Sequence, residues 1–159
     1  MSVVTLTFLL DKIARVNAQR LTQRLTDLGI TPRQVGLLTA AETLTSPSQA
    51  DLGAWLGIGP SAVVAIVDEL ESLGAVTRSA DATNRRRQII TITATGRQLL
   101  SEATRRAGEL DRDLLVGLPA ELGEAFGTAL RAIAAELGIG TPVPEAAAGD
   151  ESEADPAQA

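Results

Sequence analysis

Across its 159 residues the chain has neither cysteine nor histidine. Without cysteine there is no disulfide, no thiolate nucleophile, no thiol switch and no zinc–thiolate site. Without histidine the usual general base and the commonest metal ligand are missing. No paired carboxylates fall in a recognisable pocket motif either, so the residues argue against an enzyme, against copper or zinc sensing and against any required cofactor. The chain also lacks an apolar run of about 18 residues and a charged leader followed by a small-residue cleavage site. A cytoplasmic protein with no membrane partner is therefore expected. Lys12 is the single lysine among 14 basic residues, and Trp55 is the single tryptophan. The expected role of Trp55 is packing, ahead of lining a ligand or an interface.

The net charge of −6 argues against nucleic acid until it is divided along the chain. Glu145, Asp150, Glu151, Glu153 and Asp155 face no base beyond Thr141, which leaves 14 basic against 15 acidic residues in 1–140. The Pro/Ala/Glu/Asp composition of 141–159 cannot bury enough apolar surface to fold and reads as a disordered acidic tail. Such a tail is either inert or a competitor of DNA for basic side chains.

Helical periodicity organises the rest. Leu6, Leu9, Leu10, Ile13, Val16, Leu21, Leu25 and Leu28 make an apolar stripe from Val3 to Leu28, with Lys12, Arg15, Arg20 and Arg24 between them. Those arginines read as a solvated face, with an anionic effector as the lesser reading. Thr31-Pro32 starts a second helix through Val35, Leu37, Leu38 and Leu44. Ser48 caps a third helix whose inner face is Leu52 and Leu56, with Ala50 and Ala54 allowing close packing. Ser61 is expected to cap a fourth helix, burying Val63, Ile66, Val67, Leu70 and Leu73 and ending at Gly74. Its other face is Ser61, Ala62, Val64, Ala65, Asp68 and Glu69. Long helices follow over Thr95–Val116 and Ala120–Leu137.

Between the fourth and fifth helices stand two β-prone segments, Ala75-Val76-Thr77-Arg78 and Gln88 to Thr93, joined by Ser-Ala-Asp-Ala-Thr-Asn and Arg85-Arg86-Arg87. This is hairpin chemistry carrying three guanidinium groups near its tip, and a thin ribbon can take arginine into the minor groove. Helix, turn, helix, hairpin is a winged helix-turn-helix. The terminal helices have apolar faces broader than the segment between them can cover, which points to a second copy of the chain.

The ordered set Leu28-Gly29-Ile30-Thr31-Pro32-Arg33-Gln34, Gln49-Ala50-Asp51-Leu52, Leu56 to Val63, Asp68 to Arg78 and Thr93-Ala94-Thr95-Gly96 resembles the MarR family of dimeric transcriptional regulators over about residues 6–138. The resemblance implies a mainly α fold with a DNA-binding lobe at about 31–95 and dimerisation helices at about 3–28 and 95–138. The whole would form one domain over 1–140. It implies a homodimer on pseudo-palindromic double-stranded DNA, usually a repressor relieved by a small-molecule effector or by oxidation; no residue cluster here identifies an effector, and without cysteine a thiol switch is excluded.

Family wings commonly read Asp-Pro-x-Asp-Arg-Arg. Here Asp81-Ala82-Thr83-Asn84-Arg85-Arg86 puts Asn84 where the second acid stands, leaving Asp81 to take its place. On that pattern Arg86 enters the minor groove, with Arg85 and Arg87 shared between phosphate contact and wing support.

The DNA-binding set is thus Ser48, Gln49, Ser61, Ala62, Val64, Ala65, Asn84, Arg85, Arg86 and Arg87. For Ser61, an N-cap and a phosphate contact stand level. Ala62, Val64 and Ala65 offer no bidentate hydrogen bonds, so thymine methyls and the wing would carry more of the specificity. The same plainness keeps open an alternative, a winged-helix dimerisation or protein-interaction module without DNA binding.

Overall fold

Side-chain caps start most helices in the computed structural model, which describes residues 4–82, 84 and 87–139. Thr5 caps α1 (Leu6–Leu25), which runs into a short 3-10 turn, Thr26–Leu28. The first helix is thus shorter than the expected span to Leu28, because the chain tightens and then reverses at Gly29, φ 67°. Thr31 begins α2 (Pro32–Thr43) and Ser48 begins α3 (Gln49–Leu56), each in a reciprocal capping box with Gln34 and Asp51 respectively. The fourth helix, α4, is Pro60–Ser72. It leads into an antiparallel pair, β1 (Val76–Ala80) and β2 (Gln88–Ile92), then α5 (Ala94–Leu115) and α6 (Ala120–Glu136). The expected mainly α architecture with a two-stranded wing is present.

Three local expectations are corrected. Ser61 does not cap α4: Gly59 is the N-cap, without a side-chain hydrogen bond, and Pro60 with its preset φ takes the first helical position. Leu73 is exposed, at 44%, because it is already the C-cap, with ψ near −4°, and its side chain leaves the buried row. The chain then closes a Schellman turn in which Ala75 N–H donates to Leu70 O and Gly74 N–H to Glu71 O, with Gly74 at φ 68°. Ala50 and Ala54 face solvent, and the close approach is made instead by buried Gly53, where a Cβ would stand 3.1 Å from both Ile58 O and Val63 Cγ2.

One core holds the lobe together. Leu37 and Leu38 of α2, Leu52 of α3, Val63, Val67 and Leu70 of α4, and Val76 and Ile90 of the wing are fully buried against each other. Trp55 lies half-buried on this core, as expected, with its indole N–H buried and unpaired. A smaller cluster of Leu25, Ile30 and Ala103 joins α1 to α5. Among the described residues no single helix is long and apolar enough to cross a membrane. The expected acidic tail, 141–159, lies outside the described residues.

Candidate nucleic-acid interface

The outward face of α4 follows directly from its buried one. With Val63, Ile66, Val67 and Leu70 in the core, helical geometry leaves Ser61, Val64, Ala65 and Asp68 exposed and Ala62 half-exposed. The helix Pro-Ser-Ala-Val-Val-Ala-Ile-Val-Asp-Glu-Leu-Glu-Ser contains no Arg, Lys, Asn or Gln. Its three carboxylates are all engaged within the lobe. Asp68 and Glu71 both accept from the guanidinium of Arg78 on β1, the latter at 2.8 Å, and Glu69 accepts from the amide of buried Gln34 at 2.7 Å.

At the base of the wing β2 is paired on both of its edges. β1 and β2 pair from Val76 with Ile92 to Ala80 with Gln88, and β2 also touches the residues before α3. There Ile90 N–H donates to Pro47 O and Ser48 bridges to Ile89. Ile90 and Ile92 face the lobe core, and Ile89, on the opposite face of the strand, is buried as well. At the end of the hairpin, Asp81 N–H donates to Arg87 O at 2.9 Å and Arg87 N–H to Asn84 O at 2.8 Å.

Arg87 itself turns onto the protein. Its guanidinium reaches Asp51 at 2.8 Å and Asp81 at 3.5 Å, and donates to Ser46 O at 3.4 Å. These contacts are the wing support expected of it. Asp81 engages Arg87. Arg85 and Arg86 lie outside the described residues.

Asp51 therefore serves two elements. Burial pulls its pKa upward, but hydrogen bonds from the Ser48 hydroxyl and N–H, and then the Arg87 guanidinium, outweigh burial and hold the carboxyl below the usual aspartate range. The Ser48 hydroxyl donates to Asp51 Oδ2 at 2.7 Å and accepts from Asp51 N–H at 3.3 Å. Ser48 thus makes the cap and is half-exposed, as is Gln49 next to it. Two acid–base links, Arg87 to Asp51 and Arg78 to Asp68 and Glu71, tie the wing to both helices of the helix-turn-helix. Neither was singled out from the sequence. The Ser-x-x-Asp spacing signals the cap, but nothing in the linear order signals an arginine 36 residues away.

A denser network joins α1 to α5. Arg24 pairs with Glu109 and Asp113, and Arg106 with Asp27 and Glu102. Hydrogen bonds from Arg105 and then Arg106 hold Glu102 down to about 2. Arg24 is thus a strut between helices, and neither the solvated face nor the anion-site reading describes it. Among the described residues no group of three or more acidic side chains could hold a metal ion.

Residues 28–87 match a family model described as MarR family. A putative transcriptional regulatory protein for the hcr operon of Thauera aromatica is 30% identical over 100 residues, 62% of this chain and 60% of that protein. The chain thus matches less than two thirds of that relative's length. CouR of Rhodococcus jostii, solved with p-coumaroyl-CoA, is 29% identical with a TM-score of 0.67, covering 80% of this chain and 90% of that one. A single-residue variant of S. aureus MepR, solved with an oligodeoxyribonucleotide, is 26% identical with a TM-score of 0.57, covering 84% of this chain and 98% of that one.

Proposed function

Because residues 28–87 carry a MarR-family winged helix-turn-helix, we propose that the chain is a sequence-specific DNA-binding transcriptional regulator, a repressor working as a homodimer on a pseudo-palindromic operator. The observation that carries this reading is the wing braced by arginine–carboxylate pairs to both α3 and α4. A hairpin braced in this way holds the base of the wing in a set place beside the exposed face of α4, as simultaneous docking into adjacent grooves requires. In this reading the start of α4, with Ser61, Ala62, Val64 and Ala65, enters the major groove. Ser48, Gln49 and Asn84 lie toward the phosphates, and Arg85 and Arg86 supply the minor-groove and phosphate contacts.

Dimerisation is supported by exposed apolar side chains on both terminal helices. Leu6, Leu9, Leu10 and Ile13 of α1 and Leu122, Leu130, Ile133 and Leu137 on and after α6 are 41–72% exposed among the described residues. MepR on DNA supports the nucleic-acid partner, and CouR with p-coumaroyl-CoA supports control by a small molecule.

Fragments selected from genomic DNA by the purified chain test the reading. Inverted half-sites roughly 34 to 36 Å apart are expected. Arg86→Ala should lower affinity for them by about tenfold, with the salt slope falling by about one. No DNA binding by either the parent or Arg86→Ala would instead identify a dimerisation or interaction module that has kept the winged scaffold, and binding without sequence preference would overturn the sequence-specific reading.

A further inference from the structure

Each base edge in the major groove demands its own side-chain chemistry. Guanine O6 and N7 are read by Arg or Lys, adenine by Asn or Gln, cytosine N4 by a free carboxylate, and the thymine methyl by an apolar surface. α4 has none of the first two kinds. The third kind is engaged, since Asp68 and Glu71 hold Arg78 and Glu69 holds Gln34. These acids also lie in the C-terminal half, whereas the N-terminal residues of a recognition helix are the ones that reach base edges. What remains there is Ser61, whose hydroxyl discriminates little, and an apolar strip of Ala62, Val64 and Ala65, with Val64 40% exposed.

We propose that α4 recognises its half-site through thymine methyl groups seated on Val64, Ala65 and Ala62, and reads no guanine. A singly exposed valine is ordinary on any surface. On this one helix an apolar strip coincides with the absence of every amide and cation and with carboxylates that are all engaged inside the lobe, by Arg78 or by the Gln34 amide. The inference rests on the DNA-binding reading above and goes beyond it by naming the chemical group recognised. The specificity of α4 then comes from burying methyls, and hydrogen-bonded readout falls to the wing.

Deoxyuridine provides the test, because replacing thymine with uracil removes the methyl and keeps every hydrogen-bonding atom of both grooves. A duplex selected by the full-length chain is resynthesised with uracil at each thymine in turn, with substitutions outside the footprint as controls. At thymines under α4, dissociation constants should rise about fourfold per methyl, the factor that burial of one carbon supplies. Val64→Ala should shrink that factor toward one at the thymine Val64 touches, and Arg86→Ala should leave it intact. A selected duplex that binds equally well with uracil throughout its half-sites overturns the methyl readout and leaves DNA binding standing. Selection of no preferred duplex overturns both. Half-sites with guanine at every position under α4 would also overturn the inference.

Discussion

A methyl group added at Gly96 has nowhere to go: its Cβ would stand 2.1 Å from the Ala75 carbonyl oxygen and 2.7 Å from Ile92 Cγ1. This is the point where α5 starts against the turn that ends α4, and Thr93 closes it. The Thr93 hydroxyl donates to Gly74 O at 2.6 Å and accepts from Gly96 N–H at 3.1 Å, while Thr93 N–H donates to Ala75 O. Backbone atoms cannot give way as a flexible side chain can, so Gly96→Ala should cost about 3 kcal/mol. On thermal melting that is a drop on the order of 10 °C. Gly108→Ala, also inside α5 but with nothing within 4 Å of its Cβ, is the control and should gain up to about 1 kcal/mol. Equal melting temperatures for the two variants would show that α5 shifts without cost and that the contact is not structural. The Thr-x-x-Gly spacing is legible in the sequence, but its reason is not, since the carbonyl that excludes the methyl belongs to a turn 21 residues earlier.

Among the elements, legibility followed the strength of the local signal. Thr31 and Ser48 are true caps because Gln34 and Asp51 stand three residues on and return the hydrogen bond. Ser61 misleads because it follows a proline, and Pro60 fills the first helical position whatever comes next. The hairpin and the burial of Val63, Ile66, Val67 and Leu70 could be read from period and β-propensity. The arginine braces could not, because each joins residues that only the folded chain brings together.

The Asp51–Arg87 brace makes a specific claim about binding. Both side chains are more than a third exposed, so the pair should add no more than about 1 kcal/mol to stability. Its larger effect should be on the placement of the wing. Arg87→Gln and Asp51→Asn are each expected to weaken operator binding by roughly three- to tenfold, and the double variant no further, as for one shared interaction. Anisotropy titrations of the four proteins would show it, and fully additive losses would mean that Arg87 and Asp51 act separately. The Asp51 carboxyl is held below its ordinary range, so its contribution is intact above about pH 3.9 and is lost as pH falls through the lowered value. The brace should therefore be constant between about pH 5 and 8. With no histidine in the chain to titrate there, operator affinity should be nearly flat across that window at fixed ionic strength.

At the scale of the molecule, α1 has two unlike faces. One is pinned to α5 by Leu25 against Ala103 and by Arg24 and Asp27 in the charged network. The other carries Leu6, Leu9, Leu10, Ile13 and Val16 into solvent, and among the described residues none of α6 is fully buried. The apolar stripes of both helices were plain in the sequence. What covers them was not, because one chain's periodicity says only that a face must be buried and not by whom. A second copy is the expected occupant, and each large apolar side chain it covers is worth about 1.5–3 kcal/mol. Leu10→Glu together with Ile133→Glu places two carboxylates in that surface without touching the lobe core, where neither residue packs. The helical circular dichroism should persist while the dimer constant weakens more than 100-fold, so that sedimentation at about 10 μM shows dimer for the parent and monomer for the variant. Binding to a two-half-site duplex should fall with it, and binding to an isolated half-site should not. A parent that sediments as a monomer at that concentration, or a variant that stays dimeric, would remove the second copy from this surface and with it the twofold arrangement on DNA.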